Sequence, residues 1–215
     1  MAEPPFYLKQ LELGPMQNFV YLIGDPATRE AVVIDPGWEV PTILETLGAD
    51  GYQLTKAIVT HHHFDHVQGL QALLKAKDLP VHAHQDDVPF LDLEPASLQP
   101  VSGGDTIRVG ALAVTVLHTP GHTPGSQCLL INGRLFSGDT LFIRACGRWD
   151  LPGGDPSQLF HSLTGTLKGL PDETVLYPGH NYAEVPVSTM GQEKRQNPFL
   201  QERTEAQFLR QIGWA

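Results

Sequence analysis

Short apolar runs alternate with turn residues through the first third of the chain. Phe19, Val20, Tyr21, Leu22 and Ile23 form one run and Ala31, Val32, Val33 and Ile34 another, with Asp25 and Pro26 between them. With Phe6, Tyr7 and Leu8, set off by a Gly14-Pro15 turn, they predict three strands on short connections and an antiparallel start. Over residues 40–47 the apolar positions take helical spacing and stop at Gly48. Residues 56–59 predict a short buried strand, 67–77 a helix closed by Pro80, and 81–83 a further strand. Residues 86–100 show no period, and no element is predicted there. Strand patterns return at 106–109, 112–117, 127–131 and 134–137 between Gly and Asn turns. A helix over 156–167 with Asp155 as N-cap, a strand at 175–177 and a helix over 204–212 complete the chain. The order β-rich, α, β-rich, α predicts two sheets face to face with helices outside. That is a four-layer αββα sandwich of the α/β class, in a single domain over residues 1–215.

Composition adds bounds. An apolar fraction of 41% over 215 residues suffices for a buried core. A formal charge of −10 opposes nucleic acid and anionic membranes as partners, so an anionic substrate must be met by local Arg or Lys. The start of the chain, Met1 to Pro5, has no basic region followed by an apolar stretch, and no apolar run is long enough to cross a bilayer. The expectation is a cytoplasmic protein. Cys128 and Cys146 make no disulfide framework; one buried thiol and one loop thiol in a reducing compartment is the simpler expectation.

The chemistry concentrates at residues 60–66. His61, His63, Asp65 and His66 follow the apolar Ala57-Ile58-Val59 run in the spacing His-x-His-x-Asp-His. Imidazoles and a carboxylate packed this densely at a strand end suit a divalent metal. His61 and His63, two apart, are expected to project to one side. Those side chains cannot complete two coordination shells, and three more ligand types stand in similar settings. His122 lies in Pro120-Gly121-His122, Asp139 in Ser137-Gly138-Asp139 and His180 in Pro178-Gly179-His180, each following an apolar run and a Gly. His62 is expected to face away from its neighbours, as a structural or solvated residue. His82, His84, His118 and His161 lack such a setting and are read as ordinary histidines, with His118 able to line the site.

These motifs, in this order, resemble the metallo-β-lactamase superfamily. The likeness extends from Gln17-Asn18 and Asp35-Pro36-Gly37 to Asn197-Pro198-Phe199-Leu200. It implies the αββα fold reached above and two divalent metal ions, zinc first, with iron or a mixed pair as alternatives. It implies that His61, His63 and His122 hold one ion and Asp65, His66 and His180 the other. Asp139 would bridge them, with Asp65 and Asp139 the catalytic carboxylates. Two ions sharing a water would lower its pKa to roughly 7 and make hydroxide the nucleophile. All of these ligand types are present, whereas a non-catalytic relative would be expected to lack one.

Within the superfamily, Gly147-Arg148-x-Asp150-x-Pro152 is similar to a short bacterial type of glyoxalase II, which hydrolyses the thioester S-lactoylglutathione. Arg144, Arg148 and Tyr182 are then the candidates for binding substrate, a small molecule of the glutathione-conjugate kind. The simpler reading of the arginines is a salt bridge to Asp150 or Asp155. The chain is too short for the extra C-terminal helices of a full glyoxalase II. Ile143-Arg144-x-Cys146-Gly147-Arg148-x-Asp150 is also similar to persulfide dioxygenases. That likeness implies a single Fe(II) on His61, His122 and Asp139, with Arg144 or Arg148 gripping glutathione. Neither likeness excludes a homodimer. The missing export signal speaks against a true β-lactamase, and the missing basic face against the superfamily's nucleases.

Overall fold

The computed structural model describes residues 6–201 and 204–214. Strands β1 (Tyr7–Leu13), β2 (Asn18–Gly24), β3 (Glu30–Ile34), β4 (Gln53–Ile58), β5 (Val81–His84) and β6 (Leu98–Val101) form one six-stranded sheet in chain order. The first three pair antiparallel, as the short turns require, and β3 through β6 pair parallel. Parallel neighbours need crossovers. Helix α1 (Val40–Ala49) supplies the first, and α2 (Phe64–Val67) with α3 (Leu70–Ala76) the second.

The second sheet takes β7 (Thr106–Val109), β8 (Leu112–His118), β9 (Gln127–Ile131) and β10 (Arg134–Gly138). Next in the chain, β11 (Leu141–Phe142) and β12 (Ala145–Cys146) pair only with each other. The second sheet is completed by β13 (Val175–Pro178), parallel to β10, and edge strand β14 (Ser188–Thr189). Helices α4 (Pro156–His161), α5 (Met190–Gln196), α6 (Pro198–Gln201) and α7 (Glu205–Gln211) accompany this half.

Three apolar layers hold the sandwich together. Along β2, Val20 and Leu22 join Ile43, Leu47, Leu70 and Leu73 of the helices. The alternate residues Phe19, Tyr21 and Ile23 meet Val114, Val116, Leu129 and Phe136 of the other sheet. The outer face of that sheet packs Leu135 and Leu176 on Leu159, Leu163 and Phe208. Strands buried on both faces read as continuous apolar runs, which is why β2 and β3 were so legible. Each large side chain buried in these layers contributes about 1.5–3 kcal/mol. The layers are αββα, as the strand order predicts.

Some predicted elements change. The first strand runs on to Leu13, and the helix expected over 67–77 begins only at Leu70 as α3, with a turn at Gln68 and Gly69 separating it from the short α2. Asp155 caps α4 through Gln158 N at 3.0 Å, but the helix widens into a π turn over Ser162–Leu167. There Thr164 Oγ1 donates to the Phe160 carbonyl at 2.7 Å, competing with the helical N–H for that acceptor. The aperiodic stretch 86–100 holds two 3₁₀ turns and β6, a sheet-edge strand that tolerates Pro100. Both thiols are free, with Cys128 buried in β9 and Cys146 half-buried in β12. Among the described residues no helix is long and apolar enough to cross a membrane.

Candidate metal centre

The ligand-type residues gather where strands from the two sheets end. The loop after β4 brings His61 and His63, helix α2 brings Asp65 and His66, the loop after β8 brings His122, and β10 and β13 lead into Asp139 and His180. Two groups result. In the first, one nitrogen each of His61, His63 and His122 lie within 4.8 Å of one another. In the second, an Asp65 carboxylate oxygen and one nitrogen each of His66 and His180 do the same. His63 Nδ1 is 2.9 Å from His122 Nε2, and His66 Nε2 is 3.2 Å from His180 Nε2. Asp139 stands between the groups, with Oδ2 3.6 Å from His122 Nε2 and 3.3 Å from His180 Nε2.

Hydrogen bonds behind the rings set which nitrogen faces inward. His122 Nδ1 meets the Arg148 carbonyl at 2.7 Å and His180 Nδ1 the Met16 carbonyl at 2.9 Å. His66 Nδ1 meets Asp35 Oδ2 at 3.0 Å. These oxygens only accept, so each Nδ1 carries a proton, and in the neutral ring each Nε2 turns its lone pair to the centre. His61 Nε2 and Asp139 Oδ1 are buried without a hydrogen-bond partner. Converging lone pairs and orphaned buried atoms are what a divalent cation would satisfy, and the donor set of imidazole and carboxylate suits one. The residues fit the metal.

Charge is distributed unevenly across the two groups. Burial, reinforced by the surrounding histidines, pushes His61 well below its ordinary pKa and His63 down to about 4. Burial opposes charge on His66 as well, but Asp139, Asp35 and Asp65 outweigh it and raise that ring to about 9. Asp139 is itself held below the usual carboxylate range: burial works against its charge, and the rings of His66, His180 and His122 prevail.

Two glycines allow this density. A Cβ on Gly179 would stand 2.3 Å from Asp139 Oδ1, and one on Gly147 only 1.7 Å from the Asp139 carbonyl oxygen. Gly147→Ala is therefore expected to destabilise the protein by about 3 kcal/mol or more, because backbone is what must move. Denaturant unfolding checks this, and a loss below about 1 kcal/mol would show that the loop relaxes freely.

A cavity of about 620 Å³, within the usual range for small-molecule sites, opens onto both groups. Arg148 and Tyr182 line it with Phe64, Phe142 and Leu151. The Tyr182 ring stacks on His180 at 4.6 Å. Arg148 also forms the predicted alternative, a two-pronged pair with Asp150 at 2.9 Å on each side. Arg144 does not line the cavity; its side chain is exposed, and its backbone N–H bonds Glu193 Oε2 at 2.7 Å. His62 turns out of the centre and stacks on Phe90 at 4.5 Å. His118 does not line the cavity either, since it stacks on His84 at 3.8 Å and meets the Pro124 carbonyl at 3.0 Å.

The sequence reading assigned no role to the residues that support the ligands. Asp35 takes bonds from Thr60 N at 2.7 Å and Thr60 Oγ1 at 2.6 Å besides His66. Asn18 donates to Asp65 at 2.9 Å and accepts from Trp38 Nε1 at 2.9 Å. Asn18 opens the apolar run of β2 and Asp35 closes that of β3, so an amide or acid bounding an apolar run was the available signal.

Comparison with known proteins agrees with this geometry. A family profile described as Metallo-beta-lactamase superfamily matches residues 13–180. The chain is 36% identical over 212 residues to the human mitochondrial persulfide dioxygenase ETHE1, covering 97% of this chain and 81% of that one. It is 38% identical over 199 residues to a hydroxyacylglutathione hydrolase of Alkalilimnicola ehrlichii, covering 91% and 74%. The crystal structure of ETHE1 from Myxococcus xanthus superposes with a TM-score of 0.87 at 37% identity, over 96% of this chain and 90% of that one. A cluster of imidazoles and carboxylates at the strand ends of an αββα sandwich, matched by profile, relatives and fold alike, means that this chain belongs to the metallo-β-lactamase superfamily.

Proposed function

We propose that the protein is a metal-dependent thioester hydrolase of the glyoxalase II type, acting as one domain on a glutathione conjugate such as S-lactoylglutathione. The observation that carries this reading is the meeting of two complete ligand groups across one carboxylate, Asp139. His61, His63 and His122 would hold one ion, Asp65, His66 and His180 a second, zinc in both, with Asp139 shared. Bound metal would supply Lewis acidity for the carbonyl and a coordinated water of pKa near 7.

The chain's own residues do the rest. The bonds that the rings donate to Asp35 and to the Met16 and Arg148 carbonyls hold three of them in the orientation a ligand needs. Phe64, Phe142, Leu151 and Tyr182 wall the cavity with apolar surface that excludes water from the bound thioester. Arg148 stands on the cavity wall with a guanidinium that can exchange Asp150 for a substrate carboxylate.

The two groups should load differently with pH. In metal-free protein His66, raised to about 9, carries a proton through neutral pH that an incoming ion must displace. His180 is raised as well, against burial, by Asp139 and the Met16 carbonyl. Affinity of the Asp65, His66 and His180 group is therefore expected to rise at least about tenfold per pH unit from pH 7 and to flatten near 9. His61 and His63 are already neutral over that range and contribute no such slope. Zinc titrations at several pH values test this, and equal slopes for both equivalents would refute it.

A second reading, iron-dependent persulfide oxidation, is supported by the Ile143 to Arg148 stretch, whose Gly147 brings it against Asp139. One pair of assays separates the two. Zinc-loaded protein is expected to release thiol from S-lactoylglutathione, and iron-loaded protein to leave the oxygen trace flat when glutathione persulfide is added. Rapid oxygen uptake that disappears in His122→Ala, with no thiol release, would replace the hydrolase by the dioxygenase.

A further inference from the structure

Asp87 belongs to neither ligand group and lies in the stretch where the sequence shows no pattern. It is only 1% exposed, and three donors converge on its carboxylate. They are His62 N at 2.8 Å, Thr123 Oγ1 at 2.9 Å and Gly125 N at 2.6 Å. His62 sits between His61 and His63 in the loop after β4, and Thr123 follows His122 in the loop after β8. One buried carboxylate thus ties together the two loops that bring the three imidazoles of the first group, and those loops leave different sheets. The His62 ring lies alongside, with Nδ1 2.9 Å from Asp87 Oδ2 but making no hydrogen bond to it.

We propose that Asp87 is a positioning residue that sets the distance of His61 and His63 from His122, and thereby the affinity of that one site for its divalent ion. The second group is held by Asp35 on His66, Asn18 on Asp65 and the Met16 carbonyl on His180, none of which touches Asp87; Asp35 also reaches His61, through Thr60 Oγ1 at 3.1 Å. Hydrogen bonds to an ionised carboxylate are about twice as strong as neutral ones, so three of them hold two loops more firmly than an amide can. An amide would also turn its NH₂ toward one of those donors. The consequence is selective: the first site loosens while the second keeps its geometry. This inference rests on reading the two groups as two metal sites.

The test titrates metal-free wild type and Asp87→Asn with zinc against a chromophoric chelator, resolving the two equivalents. His122→Ala and His180→Ala assign each equivalent to its group. In Asp87→Asn the His122 equivalent is expected to weaken about 10–100-fold, the range for groups supporting metal ligands, with the other within about twofold. Equal weakening of both, or of neither, overturns the proposal. Leu47→Ala, in the helix-facing layer, should lower the melting temperature without changing the ratio of the two affinities. A changed ratio there would also overturn it, since general loosening would then suffice. If Asp87→Asn does not fold, Thr123→Val decides, because it removes one of the bonds and keeps the carboxylate. A selective loss of threefold or more supports the proposal, and no selective loss overturns it. Fewer than two equivalents in wild type would remove the two-site reading, and this inference with it.

Discussion

Asp139→Asn is expected to lower kcat/KM for thioester hydrolysis about a thousandfold or more while leaving the fold intact. The side chain reaches both ligand groups, with Oδ2 3.6 Å from His122 Nε2 and Oδ1 3.4 Å from His66 Nε2. An amide keeps the shape but replaces one acceptor by a donor and removes the negative charge, so it cannot serve two cations at once. Charge stabilisation by metal amounts to several kcal/mol, and each 1.36 kcal/mol is tenfold in rate, which sets the scale of about a thousandfold. Steady-state kinetics with metal analysis on the same sample checks it. A variant that keeps two equivalents and stays within about tenfold of wild-type turnover would strip Asp139 of its bridging role.

Removing metal should cost the protein about 10 °C or more in melting temperature. A ligand present at a thousand times its Kd stabilises the native state by about 4.1 kcal/mol, and two sites add. For a chain of 215 residues each kcal/mol corresponds to about 2–4 °C. The metal-free centre also keeps buried atoms without hydrogen-bond partners, His61 Nε2 and Asp139 Oδ1. Calorimetry before and after chelation measures the difference. A shift under about 2 °C, from protein that had carried two equivalents, would mean that the ions sit somewhere other than at these histidines.

The sequence by itself determined the layered fold and the identity of the candidate ligands. Strands such as β2 and β3 are buried on both faces, so their apolar runs are unbroken and bounded by turn residues. Local chemistry also marked Asp139 and His180, since each follows an apolar run and a Gly. What failed locally was whatever depended on a distant partner. The helix expected over 67–77 begins only at Leu70, after Gly69 packs against the Pro36 carbonyl, and the one over 156–167 widens into a π turn at Ser162, whose hydroxyl donates to the Pro120 carbonyl. Arg144 and Arg148 look alike in sequence, yet only Arg148 lines the cavity.

Tertiary structure alone decided how the ligands are held. Asp35 is 31 residues from His66, and Asn18 is 47 from Asp65. Asp87 is 36 residues from Thr123 and lies in a segment without period. Periodicity reports which face of an element is buried, because burial acts on each side chain through its own surface. A hydrogen bond between loops depends on where two sheets place their strand ends, and that information exists only once the sandwich has closed.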